Sequence, residues 1–361
     1  MAFDVWLENR TPFAAATHVQ ADADGQEVLV LMLSASFETQ ANGALTPAPE
    51  QLAVAFGDAP FGDPALSSIR YEADIAPVKP GADIIVNGSV HAPRGQPAAE
   101  VQVGLRVGPI RKVLTVTGDR ALAGGGYSAP RPFRTMPIVW ERAYGGTPAD
   151  GSGDVRNPVG IGYRGAASAD PEVRSEAPNV TYAGQEARTP SDRPAPAGFG
   201  VVGRGWQPRL GFAGTYDQAW IDSQWPLPPR DFDPRHHLCA PADQQLPGLA
   251  PGMAFSLVNL TPDGRWQFRL PRIAAPLRLI FDDRVEETAF APDTVLIEPD
   301  LRRVTLKARR AFVTRRNVPA LREIVFGHVS PVWLNARRKR KLYLNPLGGD
   351  GTLRDLPTWA P

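Results

Sequence analysis

Asp231, Asp233, His236, His237 and Cys239 come nearest in this sequence to a set of catalytic or metal-binding side chains. A closed zinc site needs repeated Cys/His pairs at fixed spacing, and this chain has one cysteine. Paired carboxylates can perform acid–base hydrolysis, but such pairs are recognised by their separation in space. An Asp-Phe-Asp sequence beside prolines is more often a turn. We therefore predict no metal site and no cofactor, and we keep a hydrolase using these carboxylates as an alternative.

A glycine pattern, Gly198-x-Gly200-x-x-Gly203, matches the dinucleotide-binding fingerprint. That fingerprint works only between a strand and a helix, because the helix N-terminus receives the pyrophosphate. Ala195-Pro196 precedes the glycines and Pro208 follows them, so neither neighbour fits. The pattern predicts a glycine-rich turn and not a nucleotide site. The sequence also contains no nucleophile elbow and no P-loop lysine motif.

The region that must position these side chains runs from Gly198 to Gln245 and is rich in glycine and proline. Such density predicts an irregular segment, and a long irregular segment inside a compact protein is usually functional or disordered. Its large aromatic rings favour an ordered segment. Exposed aromatics and arginines anchor protein interfaces, so we predict a protein-binding surface here. The residues are Trp206, Arg209, Tyr216, Trp220, Trp225 and Arg230. The alternative is that these rings only pin the loop to the sheets.

The composition indicates a globular protein of short elements and many turns. The chain has 361 residues, of which 43% are hydrophobic, 38 are proline and 34 are glycine. The start lacks the pattern of a secretory signal, and no apolar run approaches the ~18 residues that cross a membrane. One cysteine excludes an internal disulfide. We expect a cytoplasmic protein without a membrane span.

Alternating apolar residues predict strands in both halves of the chain, with no helical periodicity of useful length. Val101, Val103, Leu105 and Val107 alternate with polar residues before a Gly-Pro turn, which predicts a hairpin. The predicted fold class is mainly β, with antiparallel, sandwich-like sheets flanking an irregular middle. We divide a single domain, residues 1–315, into a β region (about 1–145), a loop-rich middle (about 146–250) and a second β region (about 251–315). Residues 316–361 are predicted to form a C-terminal extension.

Charge is distributed unevenly although the net charge is +1. Residues 302–341 carry 13 Lys/Arg and a single acid, Glu323, which predicts a basic face or tail on an acidic body. The run from Arg337 to Lys341 could contact nucleic acid, but few aromatics accompany it. A solvated tail explains such a run better, so we expect no nucleic-acid partner.

Short motifs spread along the chain resemble a bacterial family of unknown function found beside type VI secretion spike and toxin genes. These motifs are Asn9-Arg10-Thr11-Pro12, Tyr71-Glu72-Ala73-Asp74, Lys79-Pro80-Gly81-Ala82-Asp83, Gly118-Asp119-Arg120, Glu141-Arg142-Ala143-Tyr144-Gly145-Gly146, Asn157-Pro158-Val159-Gly160, Trp206-Gln207-Pro208-Arg209, Gly214-Thr215-Tyr216-Asp217, Asp231-Phe232-Asp233 and Ala240-Pro241-Ala242-Asp243-Gln244-Gln245. The resemblance covers about residues 6–312 and supplies no catalytic residues.

Members of that family are regarded as effector adaptors or chaperones. The resemblance therefore implies a non-enzymatic adaptor that binds a toxin effector and helps load it on the secretion spike, with the spike or PAAR protein as a second partner. Two alternatives remain open: the hydrolase described above, and a β module that binds carbohydrate or another ligand.

Overall fold

The computed structural model describes residues 5–40, 43–168, 170, 172–273, 275–313 and 321–341. The first strands are β1 Trp6–Asn9, β2 Ala14–Ala21, β3 Glu27–Thr39, β4 Leu45–Pro47, β5 Ala59–Pro60, β6 Ile69–Tyr71, β7 Ala82–Val86, β8 Ser89–His91, β9 Glu100–Val107 and β10 Ile110–Thr117. The middle contains β11 Leu122–Ala123, β12 Gly126–Tyr127, β13 Thr135–Pro137, β14 Tyr144–Gly145, β15 Ile161–Gly162, β16 Val180–Tyr182, helix α1 Gln218–Ser223 and β17 Gln245–Leu246. The last elements are β18 Ala254–Val258, β19 Arg265–Arg269, β20 Pro276–Phe281, β21 Val285–Ala289, β22 Pro292–Glu298, β23 Arg303–Val313, β24 Leu321–Phe326 and helix α2 Pro331–Arg338.

Six short 3-10 helices complete the described elements. They are Pro93–Gly95, Trp140–Arg142, Arg209–Phe212, Pro234–His237, Ala242–Gln244 and Pro299–Leu301. The protein is thus mainly β with mostly antiparallel sheets and little helix, which confirms the predicted fold class.

Three sheets enclose the main hydrophobic core. A seven-stranded sheet has the order β17-β7-β22-β23-β3-β2, with β4 also paired to β3. A five-stranded sheet has the order β16-β10-β9-β18-β19, and a four-stranded sheet has the order β1-β24-β20-β21. Alternating residues from all three sheets, including Leu31, Val103 and Leu279, meet in one buried cluster. This is the layered packing expected when sheets bury their apolar faces against one another.

The hairpin predicted from the alternation of Val101 to Val107 is confirmed as β9 and β10. Its four valine and leucine positions are buried, while Glu100, Gln102 and Arg106 are exposed. Strands from the first third of the chain pair with strands from the last third, since β7 pairs with β22 and β9 pairs with β18. The two β regions therefore share their sheets and do not form separate units beside the middle segment.

The strand pattern continues beyond residue 315, where the sequence analysis ended it. Strand β24 lies between β1 and β20, and helix α2 packs Trp333 against Ile280 and Val325 on the outer face of that sheet. The signal was missed because Leu321–Phe326 is a short strand next to an α-helix of eight residues. The part of the C-terminal extension from Leu321 to Lys341 is thus folded onto the body, and residues 342–361 lie outside the described part of the chain.

Many of the basic side chains in residues 302–341, which predict a basic face or tail, have acidic partners in the described part of the chain. Arg303 pairs with Glu298 at 2.6 Å and Lys307 pairs with Asp74 at 2.8 Å. Arg309 pairs with Asp293 at 2.6 Å, and Arg302 also has an acidic partner, Asp263. A count along the sequence cannot show such pairing because the acids come from distant segments.

Candidate functional site

The face of the seven-stranded sheet that turns away from the main core carries a row of polar side chains. Asp83 on β7, Thr294 on β22, Lys307 on β23 and Ser34 on β3 lie in register across four strands. All four are buried. A row of this kind must be covered by polar groups, because a buried charge without a partner is strongly unfavourable.

Asp83 binds the irregular middle segment to this face of the sheet through hydrogen bonds. Its carboxylate accepts hydrogen bonds from Lys79 Nζ at 2.5 Å and from the backbone amides of Cys239 and Ala240, both at 3.0 Å. Burial alone would raise the pKa of Asp83, but Lys79 and the two amides outweigh that effect and hold the pKa below its usual range. Asp83 is therefore ionised at neutral pH and has a structural role.

Cys239 lies in the same place and is unsuited to nucleophilic catalysis. The side chain is buried, and its Sγ lies 3.4 Å from Asp83 Oδ2. Burial and the neighbouring carboxylate raise the pKa of the thiol well above its usual range. Since the thiolate is the reactive form, this protonated thiol is expected to be inert.

A second buried ion pair holds the start of the middle segment. Arg209 donates to both oxygens of Glu72, at 2.7 and 3.2 Å, and to the carbonyl oxygens of Val202 at 2.6 Å and His236 at 2.9 Å. Arg204 reaches the same carboxylate at 2.9 Å. Arg209 is only 4% exposed, so its guanidinium joins three chain segments and is not available to a partner protein.

A cleft of about 300 Å³, including its mouth, opens between these ion pairs. Its charged lining residues are bonded to one another or to close neighbours: Arg70 with Glu298, Glu72 with Arg209, Asp74 with Lys307, Lys79 with Asp83, and Arg309 with Asp293. A binding site for a charged ligand needs charges that are free to pair with it. The cleft therefore fits a structural network better than a catalytic one.

The carboxylates of the Asp-Phe-Asp sequence act as turn anchors. Asp231 accepts from Thr215 N at 3.0 Å and from Thr215 Oγ1 at 2.7 Å, and these bonds lower its pKa. Asp233 caps a 3-10 helix and pairs with Arg235 at 2.5 Å, which lowers its pKa as well. Both groups are thus ionised and engaged locally, as the turn interpretation predicts. Within the described ranges no group of three or more His, Cys, Asp or Glu side chains could hold a metal ion.

The two adjacent histidines cover the charged network and are disfavoured as cations. His237 lies against the Phe232 ring at a centroid distance of 5.0 Å. Burial, together with His236 and nearby Arg and Lys charges, lowers the pKa of His237 to about 4. Burial and Arg209 lower the pKa of His236 in the same way.

We predict that these histidines make the protein sensitive to acid. Because the folded-state pKa lies below the unfolded value, the unfolded chain binds more protons, so stability is present above pH ~6.5 and lost as the pH falls toward ~4. Chemical denaturation at pH 7 and pH 4.5 gives the free energy of unfolding at each pH. Between the two, this free energy should fall by about 1–2 kcal/mol more for the native chain than for His236→Gln/His237→Gln, after allowing for solvent screening. Parallel pH profiles for the two proteins would contradict this role.

The Gly198-x-Gly200-x-x-Gly203 pattern has a packing role. Residues 198–203 form neither a strand nor a helix, and the carbonyl oxygen of Gly198 accepts from Lys112 Nζ at 2.7 Å. A Cβ at Gly203 would lie 2.8 Å from the indole of Trp206. That indole in turn meets Trp140 edge to face, with ring centroids 6.0 Å apart. Glycine is therefore needed at position 203 to accommodate the indole of Trp206.

Residues 214–231, here called the aromatic arm, leave the body and return to it. The arm is closed at its base by the Thr215–Asp231 bonds and by Asp233 N, which donates to Phe212 O at 3.0 Å. Gly214 has φ +82°, and a Cβ there would lie 2.9 Å from Pro229, so the closure requires glycine. The density of glycine and proline predicts an irregular segment here, but Asp217 caps the six-residue helix α1 by accepting from Trp220 N at 2.9 Å.

The arm is braced against the turn between β2 and β3. Gln224 Nε2 donates to Ala23 O at 2.7 Å, and Arg230 pairs with Asp24 at 2.9 Å. Within the arm, Trp220 Nε1 donates to Leu227 O at 3.0 Å, and the Tyr216 and Trp220 rings meet at 4.8 Å. These contacts order the arm while leaving one set of large side chains in solvent.

That exposed set consists of Tyr216, Ile221 and Trp225, which are 58%, 53% and 66% exposed. Three large exposed side chains within residues 216–225 make this arm a candidate binding surface. Of the six predicted interface residues, the arm brings together Tyr216, Trp220, Trp225 and Arg230. Trp206 and Arg209 lie in the body and hold it together. Ile221 is not among the predicted residues because interface anchors are mainly aromatic residues and arginine, although it stands four residues before Trp225.

Comparison with known proteins gives a family but no described activity. Residues 24–309 match the family described as "Uncharacterized protein conserved in bacteria (DUF2169)". No curated protein and no solved structure matches the chain. The match includes the polar face and the aromatic arm, and it begins within the turn that joins β2 to β3. None of the described helices is both long and apolar enough to cross a membrane.

Proposed function

Because the chain belongs to the DUF2169 family of uncharacterized proteins conserved in bacteria, we propose for it the adaptor function that its sequence motifs imply. In this proposal the protein binds a toxin effector through the aromatic arm and helps to load it on the type VI secretion spike. It performs no chemistry on the effector. The link to secretion rests on the resemblance described above, and the binding surface rests on the geometry of the arm.

The observation that carries the proposal is the exposure of Tyr216, Ile221 and Trp225 on a braced arm. A side chain that serves only to hold a loop in place is packed against the body, as half-buried Trp206 is against Trp140. These three instead leave apolar surface in water although hydrogen bonds fix the backbone beneath them. Aromatic residues in such positions supply most of the binding energy in many protein interfaces. Arg230 at the rim can add a charged contact, since it is well exposed and its pair with Asp24 is a surface pair of small value.

The carboxylates of Asp231 and Asp233 argue against the hydrolase alternative. In each of them both oxygens accept local hydrogen bonds, and the pKa is lowered. A general acid needs a raised pKa. The carbohydrate-binding alternative uses the same exposed rings, because flat aromatic faces also stack on sugars. The two binding functions therefore differ in the partner and not in the surface.

Co-purification tests the proposal directly. The proposal expects a toxin gene and a spike gene beside this one, and the product of that toxin gene is here called the neighbouring effector. The effector is produced together with the affinity-tagged protein, with and without the spike protein. We expect the effector to remain bound through size-exclusion chromatography and the spike protein to join the complex. Failure to retain the effector, or binding to a glycan array in its place, would overturn the adaptor function. Effector cleavage by the purified protein would support the hydrolase.

A further inference from the structure

Strand β2 is the outer strand of the seven-stranded sheet, and in the described part of the chain no strand pairs with its far side. It runs for eight residues, Ala14–Ala21, and pairs with β3 alone. An outer strand presents a row of free backbone donors and acceptors, which is a template for another strand. This edge is therefore a possible interaction surface.

The register shows which backbone groups of β2 face outward. Asp22 N donates to Gln26 O at 3.0 Å, which makes Asp22 and Gln26 a hydrogen-bonded pair. In an antiparallel ladder bonded and non-bonded pairs alternate, so Gln20, His18, Ala16 and Ala14 also bond to β3. The amides and carbonyls of Ala15, Thr17, Val19 and Ala21 accordingly point away from β3. An incoming strand would find four such residues in succession.

The chemistry of this edge differs from that of the other described edges. Proteins usually protect an outer strand with charges, proline or short length. Strand β21 carries Glu286 and Glu287, β19 carries Arg265 and Arg269, and β1 has four residues including Glu8. Strands β16 and β17 have three and two residues. Only β2 among these is long and free of Asp, Glu, Lys, Arg and Pro.

Next to β2, on the same edge of the sheet, a side chain satisfies the backbone groups of one residue of β3. Beyond the end of β2, Ser36 N of β3 donates to Gln51 Oε1 at 2.7 Å, and Gln51 Nε2 donates to Ser36 O at 3.0 Å. The amide of Gln51 thus imitates a strand residue and satisfies the backbone of β3 there. No described side chain bonds in this way to the outward groups of β2, so among the described residues one part of the edge is covered and the other is not.

The aromatic arm adjoins the end of this open edge, because Gln224 and Arg230 hold the arm on the turn that follows Ala21. A client segment lying along β2 would reach the base of the arm. A second copy paired antiparallel to β2 about a two-fold axis would instead place the two arms at opposite ends. That arrangement would leave Tyr216, Ile221 and Trp225 uncovered. Continuity with the arm thus favours the client over a second copy.

We propose that an extended, largely uncharged segment of the client protein adds to β2 as a further strand of the seven-stranded sheet. This inference rests on the proposed adaptor function and specifies how the client is held. Backbone hydrogen bonds to Ala15, Thr17, Val19 and Ala21 supply affinity with little demand on the client's sequence. Side chains at alternate client positions meet Thr17 and Val19 on one face, and His18 with its neighbour Phe56 on the other.

A proline at residue 17 tests the edge while sparing the ladder with β3. Thr17 N faces outward, and proline is tolerated in an edge strand where its missing donor faces solvent. We expect Thr17→Pro to weaken binding of the neighbouring effector at least tenfold in a fluorescence titration, whereas Thr17→Val, which keeps the donor, binds as the native chain does. A second variant, Thr17→Lys/Val19→Lys, adds edge charges without restricting the backbone and should weaken binding similarly.

Amide exchange gives an independent readout on the native chain. The amides of Thr17 and Val19 should exchange at least tenfold more slowly when the effector is bound. Unchanged affinity in both variants, or unchanged exchange at these amides in the complex, would overturn the proposal while leaving the adaptor function intact. A Thr17→Pro-sensitive dimer of the protein alone would assign the edge to a second copy. Absence of any effector binding by the native chain would overturn both proposals.

Discussion

Replacing Asp83 with alanine is expected to lower the free energy of unfolding by about 3–5 kcal/mol, the range found when one partner of a buried ion pair is removed. The substitution would leave Lys79 without its carboxylate at a side-chain exposure of only 3%. It would also leave the amides of Cys239 and Ala240 without their acceptor. Chemical denaturation at neutral pH measures this loss, and the middle segment should become more accessible to proteases.

A matched control is Asp263→Ala, which removes a carboxylate that is 67% exposed and pairs with Arg302 on the surface. Surface pairs contribute ~0–1 kcal/mol, so this variant should unfold nearly as the native chain does. If the two variants lost equal stability, Asp83 would not be the anchor that the polar face requires.

The second large effect is expected at Trp206. Trp206→Ala should cost about 2–4 kcal/mol, somewhat less than the ~3–5 kcal/mol typical of a fully buried tryptophan, because this ring is half-buried. The cost arises from the lost contact with Trp140 and from the gap beside Gly203, which has no side chain to fill it. Thermal and denaturant unfolding of the purified variant give the measurement.

Trp225→Ala serves as the comparison in the same experiment. Trp225 is 66% exposed, so its removal should change stability by less than about 0.5 kcal/mol. A large stability loss at Trp225 would mean that the arm uses this ring for packing. A negligible loss at Trp206 would remove the distinction between the scaffold rings and the exposed rings.

The sequence predicted the strands well wherever a strand has one buried and one exposed face. The alternation of Val101, Val103, Leu105 and Val107 is visible because polar residues stand between them, and β9 follows it. Strand β3 is visible in the sequence as an apolar run, because it is buried on both faces. The order of strands in the sheets was not predictable, since pairs such as β7 with β22 join residues about two hundred positions apart.

Predictions about the site failed at residues whose partners are distant in sequence. Arg209 has the type of an interface anchor, and only the fold shows Glu72 bonded to it. A charged residue such as Asp83 near the start of an apolar strand is a signal that a buried partner exists. The sequence alone does not show that the amides of Cys239 and Ala240 bond to it. The exposed rings of Tyr216 and Trp225 could be nominated from residue type. Residue type alone does not distinguish these exposed rings from the packed ring of Trp206, because the distinction depends on which rings the sheets cover.

We propose that the exposed rings of the aromatic arm bind the neighbouring effector. The decisive measurement is the dissociation constant of that effector for the double variant Tyr216→Ala/Trp225→Ala. The control is Leu122→Ala, which removes an apolar side chain that is 53% exposed in the β11–β12 hairpin. Loss of two anchor residues at ~2 kcal/mol each corresponds to a weakening of several hundredfold or more. We predict that weakening for the double variant, with a loss of unfolding free energy of no more than about 1.5 kcal/mol from the Tyr216–Trp220 ring contact. We predict native affinity for Leu122→Ala. Native affinity in the folded double variant would contradict the account.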